Sequence, residues 1–444
     1  MTRSPSRALR RDLYAAGAAA LLVTAAVLVG RHIQDTRHTL FVSWPPLFAN
    51  WDPHLGPGTP AAVLVAAATI AYGPALAARL PWRALLPAAW GTAMAWIFSL
   101  ALIDGWHRGI ARRLTTRYEY LQVIDRFDDI PATLRTFTDH ILLGSPDHWP
   151  AHIAGHPPAA TLTFVLLDRI GLRGGGWAGA WCIVIGATAC VAVLVTIRAL
   201  ADETLARRAA PFLVLAPAAV WMGTSADAYF AAVAAWAVAL LALAVTRGSM
   251  WCAGTSGLLL GLTCYLSYGL TLVALIAVAV LVLGRPRPVL LVPLLAGLAV
   301  VPALFTLAGF DWWEAYRLLV TRYNQGAGGV RPYGYWVWAN LACTVLITGL
   351  ATVAGLRRTG AVLLRREGDD RSGARRLALL VAAALLALLV ADLSGMSKAE
   401  TERIWLPFAV WLLPACAFLT RPRAWLVAQA VLALLLNHLL RTGW

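Results

Sequence analysis

The sequence predicts an all-α polytopic membrane protein, and three observations carry that prediction. Of 444 residues, 60% are apolar and only 13% charged, against about 25% charged in an ordinary soluble domain. Mean hydropathy is +0.68. The apolar residues fall in about thirteen runs, most of them close to the roughly 20 residues that a membrane-crossing helix needs. A soluble enzyme is excluded.

Spans are expected at 13–30, 59–78, 84–103, 176–197, 209–222, 228–246, 250–266, 269–283, 288–308, 335–355, 377–391, 404–419 and 424–440. The first follows Arg3, Arg7, Arg10 and Arg11 and lacks a small-x-small cleavage site, so it reads as a retained anchor with the N-terminus cytoplasmic. Threading the spans in order places 21 basic and six acidic residues inside, which accounts for the whole net charge of +15. Sixteen of each sign fall outside. The positive-inside rule therefore explains the basic pI, and no nucleic-acid partner is needed. The threading requires the short run 159–167 to lie on the outer face or re-enter rather than cross.

Six cysteines, Cys182, Cys190, Cys252, Cys264, Cys343 and Cys416, sit in or beside spans without C-x-x-C spacing, so neither a disulfide framework nor a zinc site is expected. The outer loops offer no tight metal-ligand spacing, and no cofactor is expected. The whole chain, 1–444, reads as one membrane-embedded unit. Its cytoplasmic basic loop 356–376, rich in Arg, Gly and Asp, reads as a solvated linker.

Polar residues gather on the predicted outer side, in 31–58, 104–158, 223–227, 265–269, 309–334 and 392–403. A polar surface built from several loops at one end of a helical bundle is what an enzyme with an extracytoplasmic active site needs. Within 104–158, Asp128-Asp129-Ile130-Pro131 looks like a helix start. Leu134, Phe137, Ile141 and Leu142 follow on one face, predicting an amphipathic helix on the membrane surface.

His156-Pro157-Pro158, followed by Leu162, Phe164, Leu166, Leu167 and Gly171, resembles the H-P-P-x-x-x-L segment of GT-C glycosyltransferases. Gly223-Thr224-Ser225-Ala226-Asp227-Ala228-Tyr229-Phe230 is similar to the loop-plus-acid pattern that opens a later span of that family. The stretch Ser394 to Phe408 resembles actinobacterial membrane proteins around the methylthioxylose transferase of lipoarabinomannan. Two departures stand out: Ala159 replaces the Gly or Leu of many members, and no clear Asp-Glu pair follows the first span.

The resemblance implies an inverting transferase in the plasma membrane, its active site extracytoplasmic. It would move a pentose such as methylthioxylose or arabinose, or mannose, from a polyprenyl phosphate such as decaprenyl phosphate to a cell-envelope glycan or glycolipid. Such chemistry needs a carboxylate to accept the acceptor hydroxyl's proton and cations to stabilise the departing phosphate. Glu119 best fits the base, with Asp104 and Asp52 as alternatives; each also has a structural reading, as an ion-pair partner, a span-end cap and an Asx turn respectively. Lys398, the chain's single lysine, and Arg403 are the phosphate candidates, joined by His156 and Arg331. Ser397-Lys398-Ala399-Glu400 also spells a capping box at a helix start, which itself favours anions. Asp227, Trp312, Trp313, Tyr323, Asn324 and Tyr268 are candidates for sugar or acceptor contact, although a membrane-interface belt uses the same aromatics. The rival reading is a lipid or glycolipid transporter or flippase, against which the acids at span ends and in outer loops argue.

Overall fold

The computed structural model describes residues 5–365 and 373–443 and is mostly helical. Seven helices are long and apolar enough to cross a membrane, among them Thr59–Arg79, Ala226–Arg247 and Gly373–Leu393. An eighth span is possible if Tyr333–Thr348 and Leu350–Leu363, which meet at 107°, act as one. The expected thirteen are not reached among the described residues, because several apolar runs are broken. The run 209–222 divides into Glu203–Val214 and Ala219–Met222, and 404–419 into short turns around Pro407 and Pro414. The breaks fall beside Pro217, Pro407 and Pro414, each of which lacks a backbone donor for the ladder, whereas Pro74 and Pro302 are accommodated within continuous helices.

Ala226–Arg247 is the axis of the bundle. It is apolar on all sides and mostly alanine where it is buried, as a helix surrounded by others should be. Thr59–Arg79 and Pro288–Leu307 stay largely exposed at the periphery. The helices Met250–Leu266 and Leu291–Leu307 pack through glycines: a Cβ at Gly257 would stand 2.0 Å from the Leu294 carbonyl oxygen, and one at Gly297 2.1 Å from that of Gly254. Such small-residue seams let helices approach where no hydrophobic drive separates lipid from side chain.

The charged residues separate to the two ends. At one end Arg357 and Arg358 both grip the fully buried Asp12 of the first helix, Pro5–Arg37. Arg358 also donates to the Phe418 carbonyl, Arg208 to that of Leu419 and Arg376 to that of Leu200. These are all residues assigned inward from the sequence. The helix Leu350–Leu363 runs through Arg357 and Arg358, so this part of the expected linker is ordered; 366–372 lies outside the described residues.

At the opposite end the outward-assigned loops knit together. A short antiparallel pair joins Ala49–Trp51 to Leu440–Thr442. The expected surface helix is present only as Ile130–Arg135, which Asp129 caps by accepting the Ala132 N–H at 2.9 Å. Its predicted apolar face turns inward: Leu134, Phe137 and Ile141 are buried, and Phe137 packs on Trp149 and Phe310. The segment is a wedge in the protein rather than a membrane float. Ala159–Arg169, an 11-residue helix, is too short to cross, as expected.

Candidate functional site

The residues Thr116 to Glu119 leave the chain extended at Glu119, just before the turns of Tyr120–Phe127, and the Glu119 side chain caps nothing. The carboxylate is therefore available to a neighbour. That neighbour comes from the short helix Ala151–Ala154, docked by the His152 N–H donating to the Tyr118 carbonyl at 3.1 Å. His152 Nδ1 lies 2.9 Å from Glu119 Oε1, and both side chains are nearly buried. The other face of the imidazole meets Arg403, whose NH2 is 3.4 Å from Nε2. A guanidinium can only donate, so Nε2 accepts and the histidine proton belongs on Nδ1, facing Glu119.

Arg403 is the centre of the cluster. Its NH1 donates to Asp227 Oδ2 at 2.5 Å and its NH2 to Glu400 Oε2 at 3.2 Å. Asp227 stands in the first turn of Ala226–Arg247, where the helix dipole favours an acid. Burial works against the Arg403 charge, but Asp227, Glu400 and Glu119 more than offset it and hold the guanidinium protonated. Glu119 Oε2 and the Tyr120 hydroxyl are buried without a hydrogen-bond partner. Burial first, then the Asp227 and Glu119 charges, push the Tyr120 phenol well above its ordinary range. His156 donates Nδ1–H to the His152 carbonyl at 2.7 Å. Burial holds its imidazole down to about 4, so it is neutral and its remaining nitrogen is an acceptor.

Four of the sequence candidates thus converge: Glu119, His156, Asp227 and Arg403. Arg331, Lys398 and Tyr323 border the cluster through the Glu400 loop, Arg331 NH1 standing 3.9 Å from Glu400 Oε1; the others lie apart. Asp104 is held by Arg113 at 2.8 Å, His54 at 3.0 Å and Arg108 at 3.3 Å; Asp52 pairs with Arg441 at 2.7 Å. Arg331 is buried as a tie, donating to the Leu40 and Lys398 carbonyls. Lys398 donates Nζ–H to the Gly328 carbonyl, and its backbone N–H donates to the Tyr323 hydroxyl. Trp312 donates to the Cys264 carbonyl and packs with Tyr268, Trp313 and Tyr316 in an aromatic cluster. Asn324 turns back to the Val320 carbonyl of its own helix.

The expected capping box does not form. Ala399 and Glu400 have positive φ, and the helix Thr401–Ile404 begins only after them, without a side-chain cap. Glu400 spends its carboxylate on Arg403 instead. The residues that sequence reading missed are His152, Glu400 and Tyr120. His152 did leave a signal, since it precedes His156 by four residues, one helical turn; the pairing of His152 with Arg403, 251 positions away, left none.

Solved structures of the Archaeoglobus fulgidus oligosaccharyltransferase are similar to this chain at 14% identity. With an acceptor peptide tethered to it, the TM-score is 0.42 over 75% of this chain and 49% of that one. The complex with zinc and sulfate gives 0.40 over 78% and 51%, and the apo form 0.41 over 75% and 50%. This chain spans about half the length of that protein. No family model matches the sequence and no curated protein does, so the GT-C and methylthioxylose-transferase resemblances rest on the residues quoted above.

Proposed function

We propose that this chain is a GT-C-type membrane glycosyltransferase that moves a sugar from a polyprenyl phosphate to a glycan or glycolipid hydroxyl outside the plasma membrane, its N-terminus cytoplasmic. The observation that carries the reading is the buried Glu119, with one oxygen beside His152 and the other unpartnered, next to a guanidinium held charged by Asp227 and Glu400. Glu119 Oε2 takes the acceptor proton as the hydroxyl oxygen bonds to the anomeric carbon. The bond from that carbon to the phosphate oxygen breaks, its electron pair leaves with the lipid phosphate, and Arg403 stabilises the charge that develops there. A single displacement inverts the anomeric centre. His152 orients Glu119, Asp227 and Glu400 position Arg403, and neutral His156 is an acceptor for a sugar or acceptor hydroxyl. Lys398 and Arg331 shape the loop that carries Glu400. No metal or cofactor enters this scheme.

Glu119 is favoured over Asp104 because Asp104 already serves three basic partners. Purified protein assayed with radiolabelled polyprenyl-phosphate pentoses and hexoses and mannan acceptors tests the reading. Glu119→Gln should lose about 10²–10⁴-fold in turnover while still binding donor. Asp104→Asn should lower thermal stability more than turnover. An active Glu119→Gln beside a dead Asp104→Asn moves the base to Asp104; activity in both, and in Asp52→Asn, removes the mechanism.

A further inference from the structure

At the Arg-rich end, far along the chain from the residues just described, the helix Trp82–Ala101 begins where Thr188–Leu200 and Ala226–Arg247 end. The three termini leave a cavity of about 630 Å³ between them. Its rim carries Arg83, Arg198 and Arg247; its walls include Trp82, Leu86 and Leu243. Arg198 lies over the Trp82 ring, 4.5 Å from its centroid, and pairs with Glu203 at 2.8 Å. Glu203 is shared with Arg207 at 2.6 Å. Arg83 and Arg247 are exposed and make no ion pair among the described residues, so the rim carries uncompensated positive charge.

The vertical order of the groups says what the cavity fits. Arginine and tryptophan sit at the helix termini, the depth of lipid phosphates and of aromatic belts. Leu86 and Leu243 lie one turn deeper, at the depth of acyl chains. A soluble phosphate would satisfy the rim and leave the walls in water; a zwitterionic lipid would satisfy the walls and bring no net charge to the rim. Basic pockets between membrane helices recognise anionic headgroups in this way. We propose that this cavity binds an anionic phospholipid from the leaflet facing that end, its phosphate between Arg83 and Arg247 and an acyl chain along Leu86 and Leu243.

The test uses the full chain purified in neutral detergent, with thermal unfolding as the readout. Phosphatidylglycerol should raise the unfolding temperature more than phosphatidylcholine does, and inorganic phosphate should not raise it. The pair Arg83→Gln with Arg247→Gln should lose more than half of the difference between the two lipids. Arg83→Lys with Arg247→Lys should recover most of it, and Arg10→Gln with Arg79→Gln, exposed arginines of the same end outside the cavity, should keep it. Equal shifts from both lipids, an undiminished difference in the glutamine pair, or a matching shift from inorganic phosphate would each overturn the proposal.

Discussion

Glu402, one residue from the centre of the site, is fully buried, with Oε1 accepting the Phe48 N–H at 2.8 Å and Oε2 unpartnered. Burial raises its carboxyl from 4.5 to about 7. The folded chain therefore keeps this proton where the unfolded chain has lost it. The stability it contributes is fully present below pH 4.5 and is lost as pH rises through about 7, on the order of 3 kcal/mol across that window. His156 works in the opposite sense: lowered from 6.5 to about 4, it costs stability as pH falls through that range. Glu402→Gln keeps an acceptor for Phe48, so its unfolding temperature relative to the native chain should climb between pH 5 and 7 and then level. A constant difference would show that Glu402 is ionised when buried. Neither Glu402 nor its partner was legible in the sequence. A carboxylate inside Ser397 to Arg403 reads as a cap or a solvated charge, and its burial comes from Phe48, 354 positions away.

Hydropathy showed where the helices lie, but not how many of them cross. Runs such as 209–222 and 404–419 have the composition of a span, yet the chain breaks within each of them. The wedge at Ile130–Arg135 shows a related limit: Asp129 and Pro131 marked its start correctly, whereas its apolar stripe could face lipid or protein equally well until Trp149 and Phe310 met it. The glycine seam was not read at all, although its spacing is in the sequence. Gly257→Val should force Met250–Leu266 away from Leu291–Leu307 and lower the unfolding temperature by several degrees. Gly91→Val, in a helix where a Cβ meets nothing within 4 Å, is the control and should change it little. Equal effects would mean that helix propensity, not close approach, governs both.

For the molecule as a whole, charge proved the more informative pattern. Residues assigned inward by counting arginines meet one another around Asp12, and those assigned outward meet around Arg403. A cysteine replacing Arg79 should therefore react with a membrane-impermeant reagent only from the cytoplasm, and one replacing Asp147 only from outside. Reaction of both from the same side would invalidate the threading and, with it, the placement of the site. The convergence of Glu119, Asp227 and Arg403 was legible in part, because each stands beside a motif or a helix start. The histidine joining them left only its spacing to His156, because its pairing depends on where two distant loops meet.

Asp227 and Glu400 already hold the Arg403 guanidinium before any ligand arrives. On the proposed reading, a lipid phosphate reaches Arg403 by ion exchange, displacing one carboxylate contact with another anion. The exchange runs equally well in reverse. When the sugar has gone and the lipid phosphate remains, the same two acids compete to eject it, so the enzyme should bind its donor modestly and suffer little inhibition by its spent carrier.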